Sequence, residues 1–227
     1  MNRCQAESYC KAFNEERSNC HDLCIGYVQM QNIYELSKMP KKYQFGFQLD
    51  KPGRDRESFM QLKNWELNAK ENVIDGKGLI LYSPTKGNGK TSWACKLMNA
   101  YFKGVALNNN MRCRGLFVSV PQFFRDMRDH IRTPSEEMEG KLKNIITADL
   151  VIWDDIGCES PTNWVRENLY IFINHREQNN LSQIYTSNVH MEQLKKEQYL
   201  GERIVSRMLG QCDLYEFVEE VDRRLHK

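Results

Sequence analysis

The chain has 227 residues, enough for one sizeable domain with a small appendage. Its 32 basic and 30 acidic residues nearly cancel, so no overall field holds it to nucleic acid or to a membrane surface. No apolar run approaches a membrane span and the first ten residues, MNRCQAESYC, are too polar for a signal peptide, so the expectation is a cytoplasmic protein.

Residues 1–38 open with a cysteine cluster. Cys4, Cys10, Cys20 and Cys24 lie within 21 residues, whereas Cys95, Cys113, Cys158 and Cys212 are scattered. In a reducing compartment such a cluster points to metal, and scattered thiols are ordinary small core residues. Four thiolates suffice for a tetrahedral Zn²⁺ site, although the first pair is loosely spaced and His21 offers an alternative ligand. So short a polar segment would draw its folding free energy from the metal. A short helix is expected over 28–38. Residues 39–56, rich in Lys and Arg and holding Pro40, Pro52 and Gly53, read as a basic linker. The remainder, 57–227, reads as one larger domain, opening with a helix over 57–70.

From Gly78 strands and helices alternate. Strands are predicted at 78–83 (GLILYS), 115–120, 148–155, 182–188 and 212–218, with helices over 89–102, 120–132, 163–178, 190–196 and 201–209. Alternating strands and helices of this kind build an α/β fold with a parallel sheet between helices.

The first strand runs into SPTKGNGKTS. Gly87, Asn88 and Gly89 allow the backbone to close around phosphates, Lys90 would reach the β- and γ-phosphates, and the Thr91 hydroxyl would face Mg²⁺. Pro84 stands where such loops open with glycine. Proline removes an N–H and fixes φ, which alters the hinge and leaves the cradle intact. The third strand ends in Asp154 and Asp155. A carboxylate at the C-terminal end of a buried parallel strand, beside such a loop, is where a Mg²⁺-holding Asp belongs, so Asp154 takes that role and Asp155 orients the attacking water. Asn188, at the tip of the fourth strand, would touch the γ-phosphate or the water. Arg203 and Arg207 share one helix face and suit insertion into a neighbouring subunit's nucleotide. Arg125, Arg128 and Arg132 form a stripe that could hold phosphates of single-stranded DNA, with Asp126 and Asp129 beside them and a solvated charged face as the alternative.

In this order, KGNGKTSWA, ADLVIWDDIG, IYTSN and GERIVSRM resemble the DnaC/DnaI-type helicase loaders of bacteria and phages, a branch of the AAA+ ATPases shared with IstB-like transposition helpers. CIGYVQMQNIYELSKMPKKY is similar to the corresponding stretch of phage loaders of the DnaI kind. The resemblance implies a five-stranded parallel sheet without a helical lid, subunits that associate through the ATPase domain, and a cysteine-rich module docked on a replicative helicase hexamer. It implies ATP-controlled loading of that helicase on single-stranded DNA. It carries the nucleotide roles to Lys90, Thr91, Asp154 and Asp155, the sensor to Asn188, and the arginine finger to Arg207 ahead of Arg203. A transposition helper and a non-hydrolysing ATP-gated adaptor remain as alternatives.

Overall fold

A computed structural model describes residues 24–49, 53–105, 110–157, 161–219 and 222. Helix α1 (Ile25–Ser37) leads through a short turn at Lys41–Tyr43 to α2 (Arg56–Leu67) and α3 (Ala69–Ile74). Then follow β1 (Gly78–Tyr82), α4 (Lys90–Val105), β2 (Gly115–Ser119), α5 (Val120–Arg132), α6 (Glu136–Thr147) and β3 (Leu150–Asp154). The chain continues with α7 (Asn163–Gln178), β4 (Ser182–Ser187), α8 (Met191–Leu194), α9 (Glu202–Gln211) and β5 (Cys212–Glu216). All strand pairs are parallel, in the order β2-β3-β4-β1-β5. The expected five-stranded parallel sheet is therefore present, and no helix follows β5 among the described residues.

Each strand feeds two cores because successive side chains point to opposite faces. Leu79, Leu81, Leu150, Ile152 and Ile184 face the layer made by α1 to α4, where Leu97, Met98 and Phe102 are fully buried. Ile80, Val118, Val151, Trp153 and Tyr185 face the other layer, packed against Phe123, Leu169, Ile173 and Met208. Strands β1, β3 and β4 are buried on both faces, which explains their unbroken apolar runs. Edge strand β5 is mostly exposed. Cys95, Cys113 and Cys212 are buried as expected of small core residues, while Cys158 lies outside the described residues.

Three local features differ from the expectations. The helix expected over 57–70 is two helices, because Asn68 leaves helical geometry (φ −108°, ψ 24°) and its amide caps the Asn64 carbonyl at 2.9 Å. Helix α6 was not expected; Ser135 caps it by accepting the Met138 N–H, and Met138 and Ile145 pack into the core. The boundaries drawn at 38 and 56 do not divide the hydrophobic core. Met30, Ile33, Tyr34 and Met39 are buried in the same cluster as Leu97 and Phe102, and the Tyr34 hydroxyl donates to Asn99 Oδ1 at 2.6 Å.

Beneath the sheet, Arg176 of α7 is completely buried, and no carboxylate among the described residues is hydrogen-bonded to it. Its Nη1 donates to the carbonyls of Ile145 (2.7 Å) and Ala148 (2.9 Å), and its Nη2 to those of Ser182 (2.7 Å) and Asp149 (3.4 Å). The guanidinium thereby satisfies the carbonyl end of α6 and ties it to the starts of β3 and β4. Burial pushes its pKa down to about 9, so it stays charged at neutral pH.

Candidate nucleotide site

Strand β1 delivers Ser83, fully buried, whose N–H donates to the Ser187 carbonyl at 3.2 Å. The Ser83 hydroxyl accepts the Thr85 N–H (3.2 Å) and the Asn88 side-chain amide (2.6 Å), folding the loop back on its own hinge. Pro84 sits between these contacts and is exposed, and the bonds that fold the turn do not need its missing N–H. Gly87 (φ 74°) and Gly89 (φ 105°) occupy backbone conformations that side chains disfavour. The Lys90 ammonium is drawn across the loop, donating to the carbonyls of Thr85 (2.8 Å) and Ser83 (3.3 Å) and to Asn88 Oδ1 (3.1 Å). The C-terminal segment lies against the same loop. Asp55 Oδ1 accepts the N–H groups of Val218 (2.6 Å) and Glu219 (3.1 Å), and the Asp222 carboxylate sits where a Cβ on Gly87 would collide with it.

The carboxylates meet this loop through hydroxyls. Asp154 Oδ1 accepts from Thr91 Oγ1 (2.8 Å) and from Thr186 Oγ1 (2.7 Å). Burial pushes the Asp154 carboxyl up to about 6; the Thr186 hydrogen bond opposes this, and the neighbouring Asp155 charge adds to it. Asp155 follows in left-handed geometry (φ 59°), and its Oδ1 accepts from Asn188 Nδ2 at 3.1 Å. Gly87, Asn88, Gly89, Lys90, Thr91, Asp154, Asp155 and Asn188 thus converge at the C-terminal ends of β1, β3 and β4, as the sequence reading expects. That end of a parallel sheet, with a helix N-terminus behind the loop, is the usual ligand crevice of such folds.

The arginines divide. Arg203 and Arg207 on α9 turn to α7: the Arg203 guanidinium lies 4.2 Å over the Tyr170 ring, and Arg207 pairs with Glu177 at 3.1 Å. Arg203 also lines an open depression of about 600 Å³ with Ser206, Leu209 and Gly210. Arg125 and Arg128 line a cleft of about 100 Å³ that Asp155, Thr162 and Leu200 also border; Arg132, exposed at the end of α5, is not part of it. Cys4, Cys10, Cys20 and His21 lie outside the described residues. Cys24 is half-buried just before α1, and no group of three His, Cys, Asp or Glu side chains able to hold a metal occurs among the described residues. Sequence reasoning passed over Ser83 and Thr186, whose hydroxyls organise the hinge and the carboxylates. Their only signal was burial-prone position at strand ends.

A glycine loop at the end of the first strand of a five-stranded parallel sheet, with acidic and amide side chains at neighbouring strand tips, is the layout of a P-loop-type α/β fold. No family model matches the chain. It is 29% identical over 145 residues to the replicative helicase loader DnaI of Bacillus subtilis, a match covering 59% of this chain and 43% of that protein, so less than half of the relative's length is represented. Its fold matches the crystal structure of the DnaC helicase loader with a TM-score of 0.62 at 20% identity, covering 78% of this chain and 99% of that one. It matches the replication initiator DnaA bound to AMPPCP and single-stranded DNA with a TM-score of 0.57 at 19% identity, covering 79% and 50%. The resemblance to DnaC/DnaI-type loaders drawn from the motifs is borne out. Among the described residues no helix is long and apolar enough to cross a membrane.

Proposed function

We propose that this chain binds and hydrolyses ATP and uses it to load a replicative helicase on single-stranded DNA, in the manner of the DnaI and DnaC loaders it resembles. The observation that carries this reading is the connected path from Thr91 through Asp154 to Asp155 and Asn188, set directly beside the loop of Gly87 to Lys90. The residues fit Mg·ATP. Both glycines have the positive φ that frees backbone amides to face phosphate, and a buried carboxylate shares its oxygen with the Thr91 hydroxyl. Magnesium, held from Thr91 and Asp154, would supply positive charge to the phosphate oxygens. Lys90 exchanges its loop carbonyls for the β- and γ-phosphates. Asp155, with one oxygen fixed by Asn188, aligns water for attack and takes up its proton.

The finer roles rest on placement. Arg207 is half-exposed on α9 and would trade Glu177 for a neighbouring subunit's γ-phosphate, with Arg203 at the same interface. Arg125 and Arg128 share a cleft with Asp155, which favours a single strand running past the hydrolytic carboxylate, with Arg132 extending that basic face. The cysteines Cys4, Cys10, Cys20 and Cys24 would hold one Zn²⁺ in the helicase-docking module, in a protein of the cytoplasm or of a phage-infected host.

Calorimetry with Mg·ATP, paired with capture of a replicative helicase, tests the reading. Wild type should bind and Lys90→Ala should lose at least about tenfold in affinity, by analogy with loss of a charged hydrogen-bond partner. Equal binding by both, or none by wild type, would refute the nucleotide site. Binding without phosphate release in the presence of helicase and single-stranded DNA would leave an ATP-gated adaptor. Capture of a transposase in place of a helicase would move the chain to the IstB-like branch.

A further inference from the structure

Two hydroxyls, not one, are aimed at Asp154. Thr91 belongs to the phosphate loop, but Thr186 comes from β4, at the centre of the sheet between β3 and β1. A hydroxyl has one proton and two lone pairs. Thr186 spends its proton on Asp154 Oδ1 at 2.7 Å and accepts the backbone N–H of Asp155 at 2.9 Å. One buried side chain therefore grips both consecutive acidic residues, the first through its carboxylate and the second through its peptide.

The grip falls where the backbone is least comfortable. Asp155 has φ 59°, a conformation that costs a non-glycine residue about 1–2 kcal/mol and persists only when its surroundings impose it. The Thr186 hydroxyl and the Thr186 carbonyl, which accepts the Ile156 N–H at 2.9 Å, hold the two peptides flanking that turn. As a β-branched residue on a fully buried strand, Thr186 has a stiff χ1. Both hydroxyls converge on Oδ1, so Oδ2 of Asp154 takes no hydrogen bond from the described residues.

We propose that Thr186 is a positioning residue of the nucleotide site: its single hydroxyl sets the orientation of the Asp154 carboxylate toward the metal and the direction in which Asp155 projects toward water. This rests on the reading of the site as one for Mg·ATP. Thr186→Val keeps the branched shape and deletes both bonds; Thr186→Ser keeps both.

The probes are AMPPCP binding by calorimetry with and without Mg²⁺, and ATP turnover. In Thr186→Val the Mg²⁺-dependent gain in AMPPCP affinity should shrink about 10–100-fold, the range seen when an outer partner of a metal ligand is lost. Affinity without Mg²⁺, which depends on the loop amides and Lys90, should stay at the wild-type value, and kcat should fall more than KM rises. Thr186→Ser should stay within about threefold of wild type throughout, since its hydroxyl has the same donor and acceptors. Wild-type values for Thr186→Val overturn the inference, and so does a Thr186→Ser variant as impaired as Thr186→Val, which would assign the effect to packing. If the valine variant does not fold, Thr186→Cys carries the same comparison: its weaker thiol donor should give an intermediate loss, and wild-type values overturn the proposal. A wild-type chain that binds no Mg·AMPPCP removes the nucleotide reading along with it; normal wild-type binding beside an unaltered valine variant removes this inference alone.

Discussion

Asp154→Asn should make the nucleotide-free protein more stable while depriving it of magnesium. In the fold, burial lifts this carboxyl to about 6, against an ordinary value of 3.8. The folded state therefore holds the proton more tightly than the unfolded one, and stability falls as pH rises between about 4 and 6. At about 1.4 kcal/mol per pKa unit, the ionised group costs the native state about 3 kcal/mol at pH 8 and about 1.5 kcal/mol at pH 5, where it is largely protonated in the fold. Asparagine carries no charge and its oxygen can still accept from Thr91 and Thr186. Its buried NH₂ group returns about 1 kcal/mol of penalty. The net gain is about 2 kcal/mol at pH 8, a rise of about 4–8 °C in melting temperature for a chain of this size, shrinking to about 0.5 kcal/mol at pH 5. Thermal melts in EDTA at both pH values check this. Adding Mg·AMPPCP at about 100 times its dissociation constant should invert the order, stabilising wild type by about 2.7 kcal/mol and the variant far less. A variant that melts no higher than wild type at pH 8, or a gain of equal size at pH 5, would refute the assignment of a buried, costly carboxylate at Asp154.

Arg176→Met should lower the melting temperature by about 6–12 °C, because three short hydrogen bonds to buried carbonyls are lost and removing a buried charge offsets only part of them, leaving a net loss of about 3 kcal/mol; a shift under about 2 °C would show that those carbonyls find other partners. Asn188→Ala should leave AMPPCP affinity within about threefold while turnover drops about 10–100-fold, since Asn188 fixes one oxygen of Asp155 at 3.1 Å. Matched falls in affinity and turnover would contradict that division. Arg207→Ala should abolish the rise of ATP turnover with protein concentration, a finger in trans being worth about 10³–10⁵ in rate; turnover that is independent of concentration in wild type would remove Arg207 from that role.

The strands were the most legible part of the chain because burial on both faces writes itself as uninterrupted apolar runs: GLILYS and LVIWD each end where the sheet ends. The glycine loop was legible for a similar reason, since its chemistry is local. Helix α6 was harder. Met138, Leu142 and Ile145 have helical spacing, but Gly140 and a dense set of charges dilute the signal, and packing against the core decides the matter. The arginines of α9 could be placed on one face from their spacing, but not beside Tyr170 and Glu177, because that contact depends on how α9 crosses α7. Thr186 was invisible for a related reason. Its hydroxyl reaches Asp154 and Asp155 only because β3 pairs with β4 in the register that sets Trp153 opposite Tyr185. Arg176 looked like any polar residue near a helix end until four carbonyls converged on it.

The three thiols sealed in the interior have a practical consequence. Burial lifts Cys113 to about 12 and drives Cys95 and Cys212 up as well, so none of them offers a reactive thiolate near neutral pH while the fold is closed. They sit at well-separated stations: inside the helix behind the phosphate loop, just ahead of the edge strand β2, and at the start of the opposite edge strand β5. Their alkylation rates, resolved by peptide mass, would act as three built-in clocks for local opening, reporting which margin of the sheet loosens first when nucleotide or a partner arrives.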